Sequence, residues 1–152
     1  MKILLAVDGS ECSDAAIKEV IKRPWPPQSE VRIVSAVEIP MIIGVGLEPW
    51  PVNYYEELQK TALDAAKTII DNAVRKLSEV SDKTLKITRE IVGGPPSQVI
   101  VEEAQKWGAD LIVMGSRGLG AWNRLLLGSV SNAVVHHAKC SVEIVRGPKA
   151  AE

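Results

Sequence analysis

The residues of this chain best placed to do chemistry lie between Gly115 and Ser131, read as Gly-Ser-Arg-Gly-Leu-Gly-Ala-Trp-Asn-Arg-Leu-Leu-Leu-Gly-Ser-Val-Ser. Glycines at 115, 118 and 128 let backbone N–H groups come close to a ligand, and Ser129 and Ser131 add hydroxyls where a helix is expected to begin. An apolar run, Leu111 to Met114, leads into this loop and reads as a buried strand, and Val130 to His137 reads as a helix after it. A strand, a glycine loop and a helix N-terminus form an anion site, because unpaired N–H groups and the helix dipole both favour negative charge. A phosphate-bearing ligand is the working reading of these residues, with ordinary loop glycines as the alternative.

The loop fits neither of two familiar phosphate motifs. Gly115-x-x-Gly118-x-Gly120 is not the Gly-x-Gly-x-x-Gly order of dinucleotide-binding proteins, and Ala121 stands where a Walker A loop needs lysine. Asp8, in Val7-Asp8-Gly9-Ser10, is a second candidate, either as a turn and capping residue or as an oxygen ligand for Mg²⁺ carried by phosphates. Arg117 and Arg124 are candidates for neutralising phosphate, with solvated loop positions as the alternative. His136 and His137 are adjacent on a helix and point about 100° apart, which suits the helix C-terminus better than shared metal ligation. Cys12, Cys140, Trp107 and Trp122 read as packing residues.

The elements that must position these groups alternate between strand and helix. Strands are expected at Lys2–Val7, Val31–Val37, Leu85–Val92, Asp110–Met114 and Ser141–Arg146. Helices are expected over about Asp14–Lys22, capped by Ser10 or Ser13, then Asn53–Val80, Ser97–Trp107 and Val130–His137. Pro95 or Pro96 suits a first helical turn, and Gly108 suits a helix end. This alternation predicts a five-stranded parallel sheet of order 3-2-1-4-5 with helices on both faces, a Rossmann-like α/β fold. The winding then reverses between strands one and four, so Asp8 and Gly115 should face one crevice at the carboxyl ends of the strands.

Composition narrows the partners. With 152 residues, 46% of them hydrophobic and 24% charged, the chain reads as a single domain over 1–147 with a tail at 148–152. A net charge of −1 argues against nucleic acid and anionic membranes, and an aromatic share of 4% argues against base-stacking platforms. Two cysteines without metal spacing, a five-residue apolar start too short for a signal peptide, and no membrane-length apolar run lead us to expect a cytoplasmic protein. Residues 39–53 form an apolar connection containing Met41, Ile42, Ile43, Val45, Leu47 and Trp50. It reads as a packed loop, a lid, or a partner-binding surface at 41–50.

The full spacing of the loop carries a resemblance. Gly115-x-x-Gly118, nine intervening residues, then Gly128-Ser129 resembles the nucleotide-binding pattern of the universal stress protein family. Val7-Asp8-Gly9-Ser10 resembles that family's first strand end, Val37 its second, Met114 through Ser116 its fourth, and Cys140 with Val142 its closing strand. In the ATP-binding subgroup the resemblance implies that Asp8 and Val37 contact the adenine or ribose end, and that Met114, Gly115 and Gly118 line the ribose side, with Val7 and Arg117 also counted among the site residues. It further implies that Gly128, Ser129, Val130 and Ser131 cradle phosphates. The ligand implied is ATP, or ADP or AMP, with Mg²⁺ where phosphates carry it. A nucleotide-responsive regulatory module in the stress response is the function implied, with slow ATP hydrolysis at most. A Mg-dependent ATPase or nucleotidyl-transfer enzyme using Asp8, and an interaction module indifferent to nucleotide, are the competing readings. Related proteins pair their last strands into homodimers, but Ser141 and Glu143 depart from the pattern, and a charge on an edge strand disfavours pairing unless a cation such as Arg146 meets it.

Overall fold

A computed structural model describes residues 1–38, 52–80, 85–119 and 127–147. The elements in chain order are β1 (Lys2–Ala6), α1 (Glu11–Lys22), β2 (Glu30–Val37), α2 (Val52–Val80), β3 (Lys86–Gly93), α3 (Pro96–Trp107), β4 (Leu111–Gly115), α4 (Ser129–His137) and β5 (Ser141–Val145). The five strands form one sheet in the order β3-β2-β1-β4-β5, every neighbouring pair parallel, as the sequence predicts. The segment expected to be a lid or partner surface, at 41–50, lies outside the described residues, as do Gly120, Trp122, Arg124 and the tail.

Strand alternation divides one apolar run between two cores. Ile3 and Leu5 of β1 pack with Ile33, Val113, Ala16, Ile17 and Val20 of α1, and Ile70, Ala73 and Leu77 of α2. Leu4 and Ala6 face the other way, against Val34, Ile112 and Met114 and against Val99, Ile100 and Ala104 of α3 and Val134 of α4. Each side chain of β1 therefore loses water whichever face it takes, which is why the central strands read as continuous apolar runs rather than alternating ones. Burying each Leu or Ile here stabilises the fold by about 1.5–3 kcal/mol.

Helix starts and stops follow local chemistry. Helix α1 begins at Glu11, earlier than the apolar periodicity suggests, because Ser10 is its N-cap and accepts from the Ser13 N–H at 3.2 Å. Pro96 opens α3, and Gly108 ends it at φ 71°, where a residue without Cβ is unstrained. The ring nitrogens of His136 and His137 lie 2.8 Å from the carbonyls of Asn132 and Ala133, one turn back on α4.

The exposed edge strand β5 carries the charge that the sequence singles out. Arg23, not Arg146, meets Glu143, through two bonds of 2.6 and 2.7 Å, and Arg23 also bonds Glu19 at 3.1 Å. The sequence offered only the nearest cation in the strand. Arg23 follows the end of α1, and the fold lays that end beside β5. Hydrogen bonds to Glu143 first, and to Glu19, hold the Arg23 guanidinium pKa above its ordinary value.

Candidate functional site

Strands β1 and β4 are neighbours at the sheet centre, and the helices that follow them leave on opposite faces. A crevice must open between their carboxyl ends, and a cavity of about 710 Å³ lies there. Its inner part is apolar: Ala6, Val34, Ala36 and Met114 come from the sheet, and Pro96 and Ile100 from α3. Its more exposed lining mixes the polar Asp8, Glu38, Arg117 and Ser129 with Leu119 and Leu127. The volume is in the range that holds a small organic ligand, and so is this mix of apolar wall and few polar groups.

Asp8 is held by the turn that begins α1. Its Oδ1 accepts from the Ser10 N–H at 3.0 Å and from the Ser10 hydroxyl at 2.6 Å, while its own N–H donates to Ser13 Oγ at 3.3 Å. Gly9 permits this turn at φ +81°, a conformation costly for a side chain, and a Cβ there would also stand 3.1 Å from Ile69. The turn reading of Asp8 is therefore satisfied by Oδ1 alone. The other oxygen faces the glycine loop, since a Cβ on Gly118 would sit 2.6 Å from Asp8 Oδ2. Loop and carboxylate can lie this close only because residue 118 has no side chain.

Gly115 has a different cause. A Cβ there would lie 2.6 Å from the Cys12 carbonyl carbon and 2.8 Å from the Ser13 nitrogen. The glycine that the sequence assigns to ligand approach is required first by the contact between the end of β4 and the start of α1. Its backbone still lines the cavity.

Ser116 and Gly128 close the loop. The Ser116 N–H donates to Val145 O at 2.7 Å, and the Ser116 carbonyl accepts from the Gly128 N–H and the Ser131 hydroxyl, both at 2.8 Å. Gly128 is the N-cap of α4 and brings no side chain to cap it. The Ser131 hydroxyl is directed at the Ser116 and Gly128 carbonyls, so it closes the loop. What remains facing the cavity is the first turn of α4, with the exposed Ser129 and the partial positive charge of its uncapped N–H groups.

The structure thus brings Val7, Asp8, Met114, Gly115, Arg117 and Gly118 to one cavity with Gly128, Ser129, Val130 and Ser131. It does not bring Val37 there. That residue is 5% exposed and its carbonyl accepts from the Gly94 N–H at 3.0 Å. Strand alternation turns Val34, Ala36 and Glu38 of the β2 segment to the cavity instead. Pro96 and Ile100 were also missed. The signal for them is the start of α3 at the carboxyl end of β3, beside the crevice. Among the described residues, no three His, Cys, Asp or Glu side chains gather as a metal site.

The model of the universal stress protein family matches residues 1–146 of the chain. The chain belongs to this family. A curated relative, universal stress protein MJ0531 of Methanocaldococcus jannaschii, is 36% identical over 149 residues, covering 97% of this chain and 83% of the relative. Universal stress protein YxiE of Bacillus subtilis is 29% identical over 148 residues, covering 95% and 98%. Among solved structures, that of MJ0577 matches at a TM-score of 0.81 and 28% identity, covering 98% of this chain and 97% of that one. A universal stress protein solved in complex with cAMP matches at 0.57 and 25%, covering 97% and 98%. The Arabidopsis thaliana member At3g01520, solved with AMP bound, shares the fold at 0.67 and 18% identity, covering 97% and 92%.

Proposed function

We propose that this protein binds an adenine nucleotide in the crevice between β1 and β4 and acts as a nucleotide-responsive regulatory module in the stress response. One observation carries the reading: a single cavity joins an apolar wall, from the sheet and α3, to the uncapped N-terminus of α4. The wall suits a base, the first turn of α4 suits phosphate oxygens, and Asp8 between them suits a ribose hydroxyl. Family members solved with AMP and with cAMP support the choice of adenine. ATP, ADP and AMP are the ligands considered, with Mg²⁺ arriving on the phosphates. Binding and reporting fit the crevice better than turnover, because Asp8 Oδ1 is occupied by Ser10 and no histidine lines the cavity.

The test is to denature the purified protein, analyse the released small molecules, and then titrate AMP, ADP and ATP with and without Mg²⁺ by calorimetry. Nucleotide in the released fraction or saturable binding is the expected result. No nucleotide and no binding at millimolar ligand would sink the reading and favour a module acting through 41–50. Repeated ADP production lost in Asp8→Ala would instead favour the enzyme.

We further propose that the domain spans 1–147, works in the cytoplasm, and pairs through β5 with a second copy. Two free cysteines suit a reducing compartment. Arg23 neutralises the charge of Glu143 that would oppose edge pairing. Sedimentation should show a dimer that Arg23→Ala weakens. A monomer at every concentration tested counts against the pairing.

A further inference from the structure

Ser10 is 8% exposed and lies where three segments meet. Its hydroxyl oxygen accepts from the Ser13 N–H at 3.2 Å, which caps α1. Its single proton has two acceptors in reach: Asp8 Oδ1 at 2.6 Å, and the Arg117 carbonyl, 107 residues away in sequence, at 3.2 Å. The cap needs only the oxygen, so the proton is available for a second task.

We propose that Ser10 is the positioning residue of the crevice, holding the Asp8 carboxylate and the glycine loop in register with each other. Asp8 Oδ1 takes two bonds from Ser10, one from its N–H and one from its hydroxyl. That pair fixes the rotation of the carboxylate and leaves Oδ2 turned to Gly118, where a Cβ would lie 2.6 Å away. The bond to the charged oxygen is the stronger, and the Arg117 carbonyl is the alternative seat for the same proton. Ser10 therefore links the turn after β1 to the loop after β4 through one hydroxyl, across the crevice that both loops line. A ligand hydroxyl arriving at Oδ2 meets an acceptor already oriented, so less ordering remains at binding. Its consequence for affinity rests on the nucleotide reading above, whereas the register of the two loops exists without ligand.

Ser10→Gly removes the hydroxyl at less cost to the start of α1 than Ser10→Ala, because glycine is better tolerated than alanine at an N-cap. Two measurements follow. In ligand-free, ¹⁵N-labelled protein, Ser10→Gly should displace the Gly118 amide resonance, and adding it to Asp8→Ala, which removes the acceptor, should displace that resonance little further. In calorimetry, Ser10→Gly should weaken AMP about tenfold in the wild-type background, as for one hydrogen bond to a charged group, and less than twofold beside Asp8→Ala. Ser10→Ala, which destabilises the start of α1 more, should weaken AMP no more than Ser10→Gly although it melts earlier. A Gly118 resonance unmoved by Ser10→Gly overturns the proposal whatever AMP does. Equal losses of AMP affinity in both backgrounds overturn it too. Wild-type protein that binds no AMP overturns the nucleotide reading, and the Gly118 resonance then decides for Ser10 alone.

Discussion

The two ends of the sheet solve opposite problems with similar residues. At the amino end, Trp107 of α3 lies under the Arg32 guanidinium at 4.5 Å and the Lys2 ammonium at 5.5 Å. Glu103, 8% exposed, sits 3.7 Å from Arg32 and 3.3 Å from Lys106, and the Lys2 N–H donates to Asp110 at 2.7 Å. Charges there pair with one another over an aromatic ring, although Arg32 Nε is buried without a hydrogen-bond partner, and we call this the closed end. At the carboxyl end, small side chains and an uncapped helix leave a cavity of about 710 Å³. Polar groups at the amino end pair with one another, whereas at the carboxyl end Asp8 Oδ2 and the first turn of α4 are turned to the cavity. Stability and ligand response should therefore separate under mutation.

The largest effect is expected from the residue that crosses this division. Gly115 sits at the open end but is packed like a core residue, its Cβ position 2.6 Å from Cys12 backbone. Gly115→Val should cost more than about 3 kcal/mol, at or beyond the upper end of overpacking, and urea denaturation or loss of soluble protein will show it. Trp107→Ala comes next, at about 3 kcal/mol, with AMP affinity unchanged within about twofold. A tenfold loss of AMP affinity in that variant would break the division.

Gly118→Val is the counterpart of Gly115→Val three residues earlier. Its φ is not in the left-handed region, and its obstacle is the end of one carboxylate rather than backbone. Stability should change by about 1 kcal/mol or less, while AMP affinity falls about 100-fold as Asp8 is pushed from its place. If Gly118→Val unfolds the protein, the loop is as structural as Gly115, and the comparison fails.

These two glycines also mark how far the sequence is legible. Strand order and helix faces could be read, because hydrophobic period and element alternation express the same burial that the fold achieves. Convergence of Asp8 with the glycine loop followed from the strand order. The causes at single positions were not legible. Nothing in the spacing distinguishes a glycine required by Cys12 from one required by Asp8, since both contacts join residues more than 100 positions apart. Val37 lies off the cavity lining for a related reason. The end of a strand can be located by pattern, but which of Ala36, Val37 and Glu38 faces the crevice depends on pairing with β3, where Gly94 takes the Val37 carbonyl. Arg23 beside Glu143 is the same kind of miss, a pair 120 residues apart.

The smallest effect expected belongs to the closed end. Cys140 immediately precedes β5, at the same end as Asp110. Burial pushes its thiol pKa up, the Asp110 charge adds to this, and a backbone bond opposes it. A raised pKa means that the folded protein keeps this proton at a pH where the unfolded chain has released it. Below the ordinary thiol value of about 8.5 both states are protonated and the contribution to stability is complete. As pH climbs from there through the higher folded value, the contribution is lost. Urea denaturation at a series of pH values from 7.5 to 10 should therefore show wild type losing stability faster than Cys140→Ala, because the variant has no thiol to titrate. AMP affinity at pH 7.5 should be the same in both, since Cys140 stands at the opposite end of the sheet from the crevice. Equal slopes in the two proteins would mean that water reaches this thiol and that the closed end is less closed than its packing implies.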